Sequence, residues 1–261
     1  MKISIITVSF NSAATIRDTL KSVASQDHPY TEHIIVDGGS TDDTLKIISE
    51  FPHVSKLVSE KDNGLYHAMN KGITMATGEV IGILNSDDVY AEACVLSKVA
   101  LAFEDTTIRA CYGDLQYVSA ANLDIVVRSW KAGYIKPSDF YYGWMPPHPT
   151  FFVRRSVYNH VGLFDTSLNS SSDYELMLRI LLKNKMKASY IPQILVKMRV
   201  GGLSSSSFRQ RLRANKEDRI AWKMNELKPH FFTVFLKPLR KVFQFIRKKD
   251  KKRNQLFIWI Y

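Results

Sequence analysis

Glu79-Val80-Ile81-Gly82-Ile83-Leu84-Asn85-Ser86-Asp87-Asp88 is the stretch on which the reading of this chain turns. Its first half is an apolar run of strand length. The run ends in four polar residues, and the last two are adjacent carboxylates. Neighbouring carboxylates where a buried strand meets solvent repel one another, and each makes the other harder to ionise. A hard divalent cation offsets that repulsion, and oxygen ligands suit Mg2+ or Mn2+. Taken alone, Asp87-Asp88 reads as a solvated turn capping a helix from Ala91 to Phe103. The surrounding chain reverses that reading.

Upstream, strand and helix alternate. Ile3 to Phe10 reads as a strand, and Ala13 to Ser25 as a helix with Ile16, Leu20 and Val23 on one face, capped by Asn11 or Ser12. Glu32 to Val36 is a second strand, followed by a helix from Thr41 to Phe51 with Ser40 as its cap. Val54 to Val58 is a third strand, Gly64 to Met75 a third helix, and Val80 to Leu84 the fourth strand. Such alternation predicts an α/β fold with a mainly parallel central sheet and helices on both faces. Sheets of this kind bind ligands outside the carboxyl ends of their strands. The polar clusters fall at those ends: Ser9 and Asn11, then Asp37-Gly38-Gly39-Ser40, then Glu60 to Gly64, then Asn85 to Asp88.

Downstream of Phe103 the pattern changes. Arg109 to Val118 and Ile125 to Trp130 read as antiparallel strands, and Tyr134 to His148 as an aromatic, proline-bearing loop. Thr150 to Val153, Ala188 to Ile191 and Ile194 to Met198 read as short strands. Ser172 to Lys183 and Phe208 to Met224 read as helices.

Composition sets outer limits. The 261 residues suffice for one large α/β domain, or one domain with an appendage. Cys94 and Cys111 lack metal-ligand or disulfide spacing and read as small buried side chains in a reducing compartment. No secretory pattern opens the chain, and no apolar stretch reaches the roughly 20 residues that span a bilayer. A cytoplasmic location is therefore expected. The formal charge is +11, yet Lys237 to Arg253 holds nine Lys/Arg against one Asp. A nucleic-acid enzyme would spread its basic residues over a groove or motif, so no nucleic-acid partner is expected.

Several residues carry two readings each. Asp37 can accept a hydrogen bond from a uracil ring N–H or a ribose hydroxyl, or simply end a strand. Phe10 can stack on a base or join the core. Asp62 is available as a second polar contact. Asn70 lies beside the apolar stripe of its helix, where it either touches ligand or caps the core. Asp173 suits the macrodipole at a helix start, or it is a general base able to deprotonate an acceptor hydroxyl. Glu175, two residues on, faces elsewhere. His148 sits in a rigid proline frame suited to substrate contact or to structure. Gly201-Gly202-Leu203-Ser204 can wrap a diphosphate or serve as an ordinary loop.

Together these stretches resemble family 2 glycosyltransferases of the GT-A fold. Ser4 to Asn11 is similar to the opening strand, Ile34 to Thr44 to the nucleotide-binding loop, and Glu60 to Gly72 to the third segment. Gly78 to Asp88 is similar to the strand ending in the Asp-X-Asp-type metal motif. The resemblance is dense over the first hundred residues, looser to about Ser205, and absent beyond about 225. It implies a GT-A-like αβα sandwich over 1–225, with a nucleotide-binding half (1–105) and an acceptor-binding half (106–225). It implies a UDP-sugar donor contacted by Val8, Ser9, Phe10, Asn11, Asp37, Asp62, Asn70, Asn85 and Asp87. Asp88 would ligate Mn2+ or Mg2+, and His148, Gly202 and Ser204 would meet acceptor or diphosphate. Asp173 would be the catalytic base of an inverting displacement. Two positions depart from the family pattern: His67 stands where Asp is frequent, and Ser172 where Glu is frequent. The Gln-X-X-Arg-Trp motif of processive synthases is missing, so a single-addition enzyme is expected.

Residues 226–261 read as a basic amphipathic helical extension. Phe231, Phe232, Val234, Phe235, Leu239, Val242, Phe243 and Ile246 recur between Lys237, Arg240, Lys241 and Arg247. That pattern suits an anionic membrane surface, and so a peripheral position on the inner face of the plasma membrane, near a polyprenyl-diphosphate-linked or other glycan acceptor. The rival reading is a membrane-tethered, sugar-nucleotide-binding assembly partner without turnover. Nucleotidyl transfer would want a Gly-rich basic loop after the first strand, which Thr7 to Asn11 does not supply.

Overall fold

The computed structural model describes residues 1–134, 136–201, 208–233 and 235–237. Strand β1 (Ile3–Ser9) is buried along its whole length between β2 (Thr31–Asp37) and β4 (Val80–Ile83), both parallel to it. Its run of Ile and Val fits a strand covered on both faces. Strand β3 (Val54–Ser59) closes this edge against β2, and its burial alternates as an edge strand's should. The helices α1 (Ile16–Ala24), α2 (Thr44–Ser49) and α3 (Leu65–Met75) make the crossovers.

Beyond β4 the sheet changes direction. The complete order is β3-β2-β1-β4-β8-β6-β9-β5, with β7 paired to β6. Strand β8 (Phe152–Arg154) runs antiparallel to both β4 and β6 (Ala110–Val118). Strand β9 (Ala188–Arg199) lies parallel to β6, while β5 (Val89–Tyr90) and β7 (Val126–Trp130) add antiparallel pairs. Parallel pairing thus holds through β1–β4 and again between β6 and β9, with antiparallel strands between and beside them, so the whole sheet is mixed. Helices α4 (Val95–Ala102), α5 (Arg155–Val161), α6 (Ser172–Met177) and α7 (Phe208–Met224) complete the order.

Four local expectations are corrected. The two short strands at 188–198 are one, because β9 bulges around Pro192 rather than stopping: Gly113 pairs Ile191, and Asp114 pairs Ile194. The helix expected over 172–183 turns π-helical at Leu178–Lys183. The helix expected from Ala91 starts at Val95, because Val89–Tyr90 pairs with β9 first. Ser40 does not cap α2; its hydroxyl is spent on Asp37, and Asp42 Oδ1 instead accepts the Thr44 N–H at 3.0 Å.

Helix α3 approaches the sheet closely because residue 72 is glycine. A Cβ there would lie 2.4 Å from Ile6 Cγ2. On this face the core runs from Ile6 and Ile34 through Met69 to Leu176, Ile180 and Trp222. The opposite face packs Ile5, Val80 and Phe152 against Val95, Leu96 and Val99 of α4. Thr233 and Lys237 also contact the domain: Thr233 Oγ1 donates to the Tyr141 carbonyl at 2.7 Å, and Lys237 pairs with Asp218 at 2.8 Å. Lys237 also lies 3.6 Å from the Tyr174 ring centroid, so this cation, counted above with the basic tail, is turned inward. The extension from residue 238 onward lies outside the described residues.

At the amino-terminal edge of the sheet, buried Glu32 gathers Ser4, Thr77, Lys2 and Lys56. Burial pushes its carboxyl up, but the bonds from Ser4, Thr77 and Lys56 outweigh it and hold the group at about 2. A carboxyl held below its unfolded value stabilises the fold above the unfolded pKa and loses that contribution as pH falls through the folded one. Thermal stability is therefore expected to drop between about pH 4.5 and 2, and Glu32→Gln should flatten part of that drop in melts across the window. An unaltered pH slope in Glu32→Gln would count against this assignment.

Candidate active site

Strands β1 to β4 end on one edge, and the chain lays four polar loops along it. Asp37, the last residue of β2, is fully buried. Its Oδ1 accepts from Ser9 Oγ at 2.9 Å and from Ser40 Oγ. Its Oδ2 accepts from the Gly39 and Ser40 amides at 3.0 and 2.8 Å, and from Ser59 Oγ at 2.7 Å. Burial raises the carboxyl, and these donors more than reverse it, so its pKa is lowered. Two oxygens accept about four bonds, so Asp37 is fully used in holding the loops after β1, β2 and β3 together. Contact with a base, the role expected of it, would require one of these donors to leave.

Asn11 has φ 47°, the left-handed region that Asn tolerates better than other side-chain-bearing residues. Its amide N–H donates to Ser40 Oγ at 2.8 Å, and its Oδ1 accepts the Thr41 N–H at 2.9 Å. Asn11 thus shapes the loop. That turn presents Phe10, whose ring is 63% exposed and lies beside Gly38, where a Cβ would be 3.4 Å from it. Val8 and Ser9 are buried beneath. Phe10 is the open aromatic face of this edge.

After β4, the Asp87-Asp88 turn is held by its backbone. Thr19 Oγ1 of α1 donates to the Asp88 carbonyl, and Arg199 Nη1 at the end of β9 donates to the Asp87 carbonyl, each at 2.7 Å. Ser86 and Ser12 hydroxyls meet at 2.8 Å, tying this turn to the loop after β1. The side chains are left less well served. Asp88 is fully buried, with Asn85 Nδ2 at 3.3 Å from Oδ2 and, among the described residues, no partner for Oδ1. Asn85 Oδ1 and Asp62 Oδ2 are likewise buried without partners among the described residues. Burial first, and then the Asp87 charge, push the Asp88 carboxyl well above the usual carboxylate range; burial also raises Asp87. Unpaired buried oxygens are costly and rare. Three of them at one sheet edge fit a site that receives a cation or other electron-pair acceptor.

No set of three or more His, Cys, Asp or Glu side chains converges among the described residues. The protein side therefore fits a cation held by one or two oxygens, Asp88 Oδ1 and Asn85 Oδ1, and completed by phosphates and water. That is the usual arrangement for Mg2+-type ions on nucleotide ligands. Asp62 Oδ1 accepts from Lys71 at 2.7 Å, which leaves Oδ2 for a ligand donor. Asn70 does not reach this edge: its Nδ2 donates to the Phe164 carbonyl at 2.9 Å and its Oδ1 accepts the Phe164 N–H at 3.0 Å. Of its two readings the geometry carries core capping.

Asp173 lies in the first turn of α6. Its Oδ1 accepts the Tyr174 N–H at 2.8 Å and lies 3.4 Å from the Tyr66 hydroxyl. Oδ2 has no protein partner among the described residues. Glu175 is turned away into an ion pair with Arg179, and Asn225 Nδ2 donates to it at 3.0 Å. His148 is half-buried, and desolvation lowers its pKa, while the Asp173 charge opposes the shift. Tyr66 begins α3, directly after the loop bearing Asp62, so Asp173 is brought to the same sheet edge as the four loops. Gly202 and Ser204 lie outside the described residues. Sequence reasoning missed Thr19, Ser59, Tyr66 and Arg199. Only Arg199 carried a local signal, standing just before the Gly-Gly loop.

The curled mixed sheet, with its polar carboxyl edge, is the fold of a GT-A-like glycosyltransferase. The chain belongs to glycosyl transferase family 2, whose family model matches residues 4–162. It is 28% identical over 212 residues to a PGL/p-HBAD biosynthesis glycosyltransferase of Mycobacterium bovis, covering 78% of this chain and 79% of that one. Over 92 residues it is 38% identical to the putative teichuronic acid biosynthesis glycosyltransferase TuaG of Bacillus subtilis, 34% of this chain and 36% of that one. Among solved structures it is similar to S. aureus TarS 1-349 in complex with UDP-GlcNAc (TM-score 0.64, 18% identity, 86% of this chain and 65% of that one). It spans 39% of the longer TarS chain, at TM-score 0.61. It is also similar to the mannosyltransferase PcManGT from Pyrobaculum calidifontis in complex with GDP-Man and Mn2+ (TM-score 0.60, 19% identity, 92% and 73%).

Proposed function

We propose that this chain is an inverting glycosyltransferase that moves a sugar from a UDP-sugar to a hydroxyl of a glycan or polyprenyl-diphosphate-linked acceptor. The observation that carries the reading is the set of unpartnered buried oxygens on Asp62, Asn85 and Asp88 along one sheet edge. The UDP complex of a fold relative supports the choice of nucleotide. Phe10 offers its exposed ring to the base, while Asp37 and Asn11 hold the loop that positions it. Asp62 Oδ2 accepts a donor hydroxyl, and Asp87 faces the ribose or donor sugar. Asp88, with Asn85, would hold Mn2+ or Mg2+, and the cation would supply positive charge against the diphosphate.

Asp173 Oδ2 takes the proton of the acceptor hydroxyl. The acceptor oxygen bonds to the anomeric carbon as the bond from that carbon to the UDP oxygen breaks. The electron pair leaves with UDP, and the configuration inverts. His148 lies beside Asp173, on the acceptor's path. The test is UDP release from a panel of UDP-hexoses with Mn2+ or Mg2+, with and without a polyprenyl-diphosphate-linked glycan. Acceptor-stimulated, cation-dependent release supports the reading. Tight UDP-sugar binding with no release under any condition supports the non-catalytic assembly partner instead.

The domain is proposed to work at a membrane surface, with the basic chain beyond Lys237 as the contact. No helix among the described residues is long and apolar enough to cross a membrane. Each Lys or Arg near an anionic leaflet contributes about 1 kcal/mol. Deleting residues 238–261 should abolish co-sedimentation with phosphatidylglycerol vesicles. Undiminished sedimentation of the shortened chain would exclude that segment as the contact.

A further inference from the structure

Tyr66 is, among the described residues, the buried hydroxyl that donates to the Asp173 carboxylate, and nothing above assigns it a task. It is 7% exposed and sits in the first turn of α3. Its ring stacks on Phe164 at 5.5 Å, with the planes 27° apart. Phe164 cannot drift: Asn70, one helical turn beyond Tyr66, grips both its N–H and its carbonyl. Arg179 holds the same loop through the Val161 and Leu163 carbonyls, at 2.7 and 2.8 Å, and is itself paired with Glu175 of α6. The Tyr66 ring is therefore fixed from three elements, and its hydroxyl is delivered to the start of α6.

The backbone amides of Ser172 and Asp173 face the phenol oxygen, which directs its proton toward Asp173 Oδ1. Burial, and then the Asp173 charge, keep the phenol protonated, so toward the Asp173 carboxylate it is the donor. At 3.4 Å the bond is long, as catalytic hydrogen bonds often are before substrate binds. The carboxylate is thus divided: Oδ1 is anchored by Tyr66 and the Tyr174 N–H, and Oδ2 is open.

We propose that Tyr66 is a positioning residue for the transfer reaction, fixing Asp173 by one oxygen so that the other meets the acceptor hydroxyl, and linking the base to the helix that follows the Asp62 loop. This rests on the reading of Asp173 as the base. His148 is the other titratable group facing Asp173.

The test is Tyr66→Phe, which keeps the ring on Phe164 and removes only the hydroxyl. It is read by UDP release from whichever UDP-hexose the wild-type enzyme turns over, alone and in combination with Asp173→Asn. Tyr66→Phe should lower kcat about tenfold, a part of the roughly 10²–10⁴ that a general base supplies, and leave the donor KM unchanged. Adding Tyr66→Phe to Asp173→Asn should cost nothing further. Wild-type kcat, or a full additional loss in the double variant, would overturn the assignment. Wild-type transfer by Asp173→Asn alone would instead remove the base reading on which it rests.

Discussion

Asp173→Asn should keep its affinity for UDP and lose sugar transfer. An amide occupies the same volume as the carboxylate, and its oxygen can still accept the Tyr174 N–H and the Tyr66 hydroxyl at the place where Oδ1 now does. The first turn of α6 is therefore preserved. What disappears is the capacity of the second oxygen to take a proton. General base catalysis contributes about 10²–10⁴-fold, so kcat should fall by that factor. UDP titrated calorimetrically should bind within about twofold of wild type, since the donor edge lies on β1 to β4. Undiminished transfer would take Asp173 out of the base role. Lost transfer together with lost UDP binding would place it in donor binding instead.

Asp88→Asn should abolish cation-dependent turnover and, in the absence of cation, make the protein more stable. Asp88 is buried completely, carries an oxygen with no partner, and has the Asp87 charge next to it. A buried unsatisfied group costs about 1–3 kcal/mol, and more when charged. The amide removes the charge and keeps an oxygen for Asn85 Nδ2. Its NH2 also adds a donor beside Asn85, whose own Oδ1 lacks one. A gain of about 1–2 kcal/mol corresponds to roughly 2–8 °C in Tm for a chain of this size. Stability surrendered at a site that function needs is a familiar trade. Melts with and without Mn2+ and UDP check both halves. A lower Tm, or cation-dependent activity that survives, would contradict the role given to Asp88.

The parallel half of the sheet was legible because its strands have sharp edges. Ile3 to Val8, Ile34 to Val36 and Val80 to Leu84 are apolar runs cut off by polar residues, and those edges became the loops of the site. The other half was legible only in pieces. Pro192 reads as a strand end, but β9 absorbs it in a bulge opposite Gly113 and Asp114. The antiparallel insertion of β8 between β4 and β6 depends on pairings that no local pattern encodes.

The same division runs through the site. Asp87 and Asp88 stand out because two carboxylates end one apolar strand, so composition alone marks them. Asp37 is equally conspicuous, yet its charge is used up by Ser9, Gly39, Ser40 and Ser59, and two of those come from other strands. Asn70 looks like a ligand contact until Phe164, far along the chain, is placed against it. Tyr66 was invisible for the converse reason. Its hydroxyl has meaning only once α3 and α6 meet.

Crystals of the protein grown with UDP and MnCl2, with Mn2+ located by its anomalous signal, test the central claim most directly. The account places the ion about 2.0–2.6 Å from an Asp88 oxygen, with the diphosphate beyond it, the uracil on the Phe10 face and the Asp173 carboxylate across the gap. An ion bound away from Asp88, or UDP lodged off the carboxyl edge of β1 to β4, would contradict it.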